Sequence, residues 1–121
     1  MQRLYLFLSF LIFHTVFSQD YYVYVAAESD DQVSVLKFDG KEIIETDRIS
    51  VGLMPTENEG PHGITIDPSG KYWYLTLAHG SPNGSVVKYS TENNEPLSKV
   101  ELGLFPATIQ ISKKTGLLLS L

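Results

Sequence analysis

The sequence predicts an all-β chain made of repeated four-stranded antiparallel sheets, preceded by a short apolar leader. Three observations carry this. After residue 20 the chain breaks into short runs of alternating apolar residues, and no window keeps helical spacing over three turns. The breaks hold explicit turn residues. Several segments recur at a common spacing.

The runs that read as strands are Tyr21 to Ala27, Val33 to Phe38, Glu42 to Thr46, Gly63 to Ile66, Tyr72 to Leu77, Ser85 to Tyr89, Leu97 to Leu102, Thr108 to Ile111 and Leu117 to Leu121. Asp67-Pro68-Ser69-Gly70 sets Pro where a type I turn needs φ near −65° and Gly at its exit. Asp39-Gly40 and Asn83-Gly84 read as tight hairpin turns.

Gly52-Leu53-Met54-Pro55 recurs as Gly103-Leu104-Phe105-Pro106, Ile64-Thr65-Ile66 as Ile109-Gln110-Ile111, and Tyr22-Val23-Tyr24-Val25 as Tyr72-Trp73-Tyr74-Leu75. The offsets of 51, 45 and 50 residues reconcile if the first copy carries a six-residue insertion, Thr56 to Pro61. The underlying period is then about 45 residues, the length of a β-propeller blade. A set of four strands repeating as a unit favours a propeller over a sandwich.

The 121 residues are 43% hydrophobic and 12% aromatic, as in a packed domain. Formal net charge is −5, one unit more negative without residues 1–18, where Arg3 is the one charged side chain. That balance argues against a nucleic-acid partner. There are no cysteines, so disulfides, thiolate metal sites and Cys nucleophiles are excluded for this stretch.

Arg3, the apolar run Leu4 to Phe13, and Val16-Phe17-Ser18 before Gln19 have the layout of a secretory signal peptide over 1–18. The run is short of the roughly 20 residues a membrane span needs. Cleavage is expected rather than a stable membrane anchor, and the mature chain is expected to be secreted or periplasmic.

Pro61-His62-Gly63-Ile64-Thr65-Ile66-Asp67-Pro68-Ser69-Gly70-Lys71 followed by Tyr72-Trp73-Tyr74-Leu75 resembles the YVTN repeat. In that repeat an inner strand, an Asp-Pro-x-Gly-Lys turn and a Tyr-Val-type strand follow one another. Tyr22-Val23-Tyr24-Val25 with Val33-Ser34-Val35 resembles its second and third strands, whereas Ser112-Lys113-Lys114-Thr115-Gly116 departs from the turn pattern.

The resemblance implies a fragment of about two blades within 19–121. Residues 19–51 would be strands B to D of a first blade, 62–102 a complete blade, and 106–121 the start of a third. A ring of about seven such blades needs roughly 300 residues, and Leu117 to Leu121 ends on an uncapped apolar strand. The chain is therefore expected to be the beginning of a longer protein.

Antiparallel order places the B-to-C and D-to-A loops on one face. On it fall Glu28, Asp30, Asp31, Glu57, Glu59, His62, His79 and Asn83. His62 and His79 are the candidate metal ligands, since neutral imidazole with carboxylate suits zinc, copper or a similar divalent ion. The competing reading has His62 bonded to loop backbone and His79 solvated, with the carboxylates serving solubility.

Tyr22, Tyr24, Tyr72 and Tyr74 lie at strand alternation and are assigned to blade-to-blade packing rather than to a stacking platform. Asn83-Gly84-Ser85 fits the N-glycosylation pattern. No phosphate-binding glycine loop, Gly-x-Ser-x-Gly elbow or His-Glu-x-x-His element is present.

Three functional readings stand at this level. One is an exported, non-catalytic propeller that binds a protein or small-molecule ligand on its loop face. The second is part of an enzyme, because propellers with similar repeats include lactonases and the haem- and copper-bearing domains of cytochrome cd1 nitrite reductase and nitrous-oxide reductase. The last is a complete small β-protein or its oligomer, disfavoured by the open strand edges.

Overall fold

A computed structural model describes residues 19–79 and 82–121, so the leader assigned to 1–18 lies outside the described residues. Among the described residues nine strands form, in three antiparallel sheets. β1 (Tyr21–Ala27), β2 (Gln32–Phe38) and β3 (Ile43–Ser50) make the first, in the order β1-β2-β3. β4 (Pro61–Ile66), β5 (Tyr72–Leu77), β6 (Ser85–Ser90) and β7 (Pro96–Glu101) make the second, and β8 (Ile109–Ile111) with β9 (Leu118–Ser120) the third.

All nine predicted strands are present, β1 and β5 with the expected bounds and the other seven with shifted ends. β3 runs four residues further than Thr46 because its pairing with β2 continues through a bulge to Gln32↔Ser50. A one-turn 3-10 helix, Glu28–Asp30, joins β1 to β2 and ends on Asp31 in the left-handed region, φ 48°. Among the described residues no helix is long and apolar enough to cross a membrane.

The Asp67–Gly70 turn forms as read, with the Gly70 N–H donating to Asp67 O at 2.9 Å and Gly70 at φ 71°. The Asn83-Gly84 hairpin does not. The β5–β6 connection spans 78–84, and Gly84 extends the strand pairing, exchanging backbone bonds with Gly103 and Leu102. Glycine is required there for space, because a Cβ would lie 2.2 Å from Pro106 Cδ of the next repeat.

The core lies between the first two sheets. Val33 and Val51 meet Trp73, Leu75, Leu77, Val87 and Tyr89, with Tyr24, Ala26, Ile49 and Ile64 packed around them. Trp73 stacks on Tyr89 at a centroid distance of 4.0 Å and meets Tyr24 at 5.3 Å. Strand alternation explains the set, since Trp73, Leu75 and Leu77 share one face of β5.

Of the four tyrosines assigned to packing, Tyr24 fulfils the role, while Tyr72 and Tyr74 are half-buried and Lys88 Nζ sits 3.7 Å above the Tyr72 ring. Tyr22 does not, being 54% exposed. It shares its β1 face with Tyr24 and Ala26 and, with Tyr24, lines a cleft between the two sheets.

Candidate functional site

One end of the sheets carries the 3-10 helix, the 51–60 loop, the β5–β6 loop and the 102–108 link. A bulge begins the site. Pro61 pairs with Leu77 and Ile64 with Leu75, so His62 and Gly63 together face Thr76. Bulges re-aim side chains. Thr76 Oγ1 accepts the Gly63 N–H at 2.7 Å, and His62 stands exposed at the rim.

His79 leaves the end of β5 with its N–H on Glu59 O at 2.8 Å. Its ring lies against Gly60, where an added Cβ would be 2.0 Å from His79 Cδ2. His79 Nε2 is 2.9 Å from Glu28 Oε1. The hydrogen bond from His79, aided by the charges of His62 and His79, lowers the Glu28 carboxyl from its ordinary value against a smaller opposing effect of burial.

Phe105 stands between the two histidines. Its ring meets His62 edge-on at 5.7 Å and His79 at 5.2 Å, is 48% exposed, and is carried on a left-handed residue, φ 50°. Non-glycine residues seldom hold that backbone, and they concentrate at functional positions. The sequence marked Phe105 only as the counterpart of Met54 in the recurring Gly-Leu-x-Pro segment. Its place between two imidazoles comes from the 102–108 link, which bonds Gly84 through Gly103 and sets Pro106 against it.

The other acidic residues of the predicted rim separate. Asp31 turns inward and accepts the N–H groups of Glu59 and Gly60 at 2.9–3.0 Å. Glu59 is 3% exposed; its carboxylate accepts from the Leu53 and Met54 N–H groups and faces Lys99 Nζ at 3.8 Å. Both hold the 51–60 loop. Asp30 and Glu57 line a shallow outer depression, and Asn83 donates to Glu101 at 3.0 Å.

The structure therefore gathers Glu28, His62 and His79 around Phe105 and sends Asp30, Asp31, Glu57, Glu59 and Asn83 elsewhere. Among the described residues no three His, Asp or Glu side chains are grouped to hold an ion. A metal on His62 and His79 would need ligands these residues do not supply. The cluster itself offers an exposed aromatic edge, two imidazoles and one ionised carboxylate.

No family model matches the sequence, and no curated protein matches it significantly. Nine solved chains match in structure. One is a Bacteroides fragilis protein whose assignment as a 6-phosphogluconolactonase is provisional. It is 21% identical, with a TM-score of 0.63 over 80% of this chain and 27% of its own. The chain thus spans about a quarter of that structure, and at this identity the likeness carries the fold alone. With its sheets of three, four and two antiparallel strands, the chain is an all-β, partial propeller-type fold.

Proposed function

We propose that this chain is part of an exported propeller of YVTN-like repeats that binds a ligand or protein on its loop face and performs no chemistry there. The observation that supports this best is Phe105, exposed and held edge-on between His62 and His79 beside Glu28. Exposed aromatic rings flanked by polar groups are what recognition surfaces use. The loops that present it are fixed from within by Asp31 and Glu59, so the surface is preorganised.

A second reading is favoured by the His79–Glu28 pair, because a carboxylate that orients an imidazole makes a general base. The provisional assignment of the Bacteroides neighbour supplies a substrate class to try, sugar-derived lactones. The test uses the full-length protein, its His62→Ala, His79→Ala and Phe105→Ala variants, a lactone panel and metal analysis. The scaffold reading expects no turnover and no stoichiometric metal. Lactone hydrolysis lost in His79→Ala, or one bound metal lost in both histidine variants, would overturn it.

A further inference from the structure

A second concave region lies at the opposite end of the sheets, where the β4–β5 and β6–β7 turns emerge. It is a cleft of about 490 Å³ between the first and second sheets, lined by Tyr22, Tyr24, Thr46, Asp47, Thr91 and Asn94 among others. That size suits a small organic ligand. Tyr22 lies on the face of β1 turned towards the second sheet, the face it shares with Tyr24.

The cleft is shaped by a bulge. Val35 pairs with Asp47 and Leu36 with Glu45, leaving Thr46 as the extra residue of β3. Neighbouring residues of a strand normally point to opposite faces, yet Thr46 and Asp47 both line this cleft.

Apart from the Tyr22 hydroxyl and the second Asn94 Nδ2 proton, its side-chain donors are already engaged. Thr46 Oγ1 donates to Val35 O at 3.1 Å, Thr91 Oγ1 to Gly70 O at 2.7 Å, and the Tyr24 hydroxyl to Asn94 Oδ1 at 3.4 Å. Asn94 Oδ1 also accepts the Trp73 indole N–H at 3.2 Å, and Asn94 Nδ2 donates to Asp47 Oδ2 at 3.4 Å. Asp47 Oδ1 accepts the Arg48 N–H at 2.8 Å. These hydroxyl protons are committed, so what Thr46, Thr91, Tyr24 and Asp47 have left to offer is lone pairs.

The basic residues of the flanking strands have other partners: Lys37 bonds Asp20, Arg48 chelates Glu45 and Lys88 caps Tyr72. None of these bonds neutralises Asp47.

We infer that this cleft binds a small primary alkylammonium compound, with Tyr22 and Tyr24 beside the cation and Asp47 and the threonine oxygens accepting its N–H groups. A cation that brings three donors complements a carboxylate, unused lone pairs and tyrosine faces. Burial, and then the Asp47 charge, raises the Tyr24 phenol from its ordinary value, in keeping with negative potential there. The inference is independent of the loop face.

The experiment is an amide NMR titration of the full chain with n-pentylammonium, and with n-pentanol as its uncharged counterpart. Saturable shifts confined to the neighbourhood of Tyr22, Asp47 and Asn94 are expected with the amine, and binding at least about tenfold weaker with the alcohol. Asp47→Asn should weaken amine binding about tenfold and Tyr22→Ala about two- to fivefold. Equal affinity for the alcohol, unchanged affinity in Asp47→Asn, or shifts centred on Glu28 would overturn the proposal. Should Asp47→Asn fail to fold, the exposed Tyr22→Ala and the alcohol decide.

Discussion

Replacing Asp31 by alanine tests the claim that this predicted rim carboxylate is a structural clamp. Its oxygens accept the Glu59 N–H at 3.0 Å and the Gly60 N–H at 2.9 Å. Each bond to a charged acceptor contributes about 1.5–3 kcal/mol. Gly60 keeps a second acceptor, Asn58 Oδ1 at 2.9 Å, so only the Glu59 N–H loses every partner. Alanine must also adopt the left-handed backbone of Asp31, φ 48°, at a further cost of about 1 kcal/mol. Because Asp31 is only half-buried, water recovers part of the loss, and the expected destabilisation is about 3 kcal/mol.

Asp31→Asn retains an acceptor oxygen and the tolerance for that backbone, and should lose about 1 kcal/mol. Urea denaturation of the full chain, with equal slopes for all three proteins, measures both values. An alanine variant within about 0.5 kcal/mol of the parent, the range of an ordinary surface substitution, would refute the clamp. So would an asparagine variant as damaged as the alanine one, since charge alone would then be responsible.

Tyr89 is buried with its hydroxyl unpartnered among the described residues, and burial together with the Glu59 charge raises its pKa to about 12. The unfolded chain releases that proton near pH 10, so stability should fall as pH rises from 10 towards 12, by about 2 kcal/mol at most. Tyr89→Phe should remove that fall and leave stability at pH 7 unchanged or up to about 1 kcal/mol higher, both read from urea melts. Asn94, at φ 59°, ties Tyr24 and Asp47 of the first sheet to Trp73 of the second. Asn94→Ala should cost about 2–3 kcal/mol and shift the emission of the single tryptophan, whose indole N–H would lose its acceptor.

The strands were legible in the sequence because period-2 alternation and turn residues are local signals. Tyr72-Trp73-Tyr74-Leu75 needs no distant partner to read as a strand, and Asp67-Pro68-Ser69-Gly70 encodes its own turn. Asn83-Gly84 misled because glycine serves two purposes. Here the second, close approach by Pro106 from the next repeat, prevails over the turn.

The candidate site was legible only as a list of residues sharing one face. Alternation assigns a loop to an end of a sheet, but does not say which carboxylate turns inward. Asp31 and Glu59 are drawn to unpaired backbone N–H groups of the 51–60 loop, whereas Glu28 reaches His79 fifty-one residues away. Phe105 and the Tyr22 cleft were missed because both depend on how one sheet leans on the next.

By itself, then, the sequence determined the all-β class, the strands and the Asp67–Gly70 turn, since each follows from patterns within a few residues. The tertiary structure alone decided which side chains meet. Long-range contacts are set by packing between sheets, and a bulge at Thr46 or at His62 changes the direction of a side chain without altering the pattern that produced the strand.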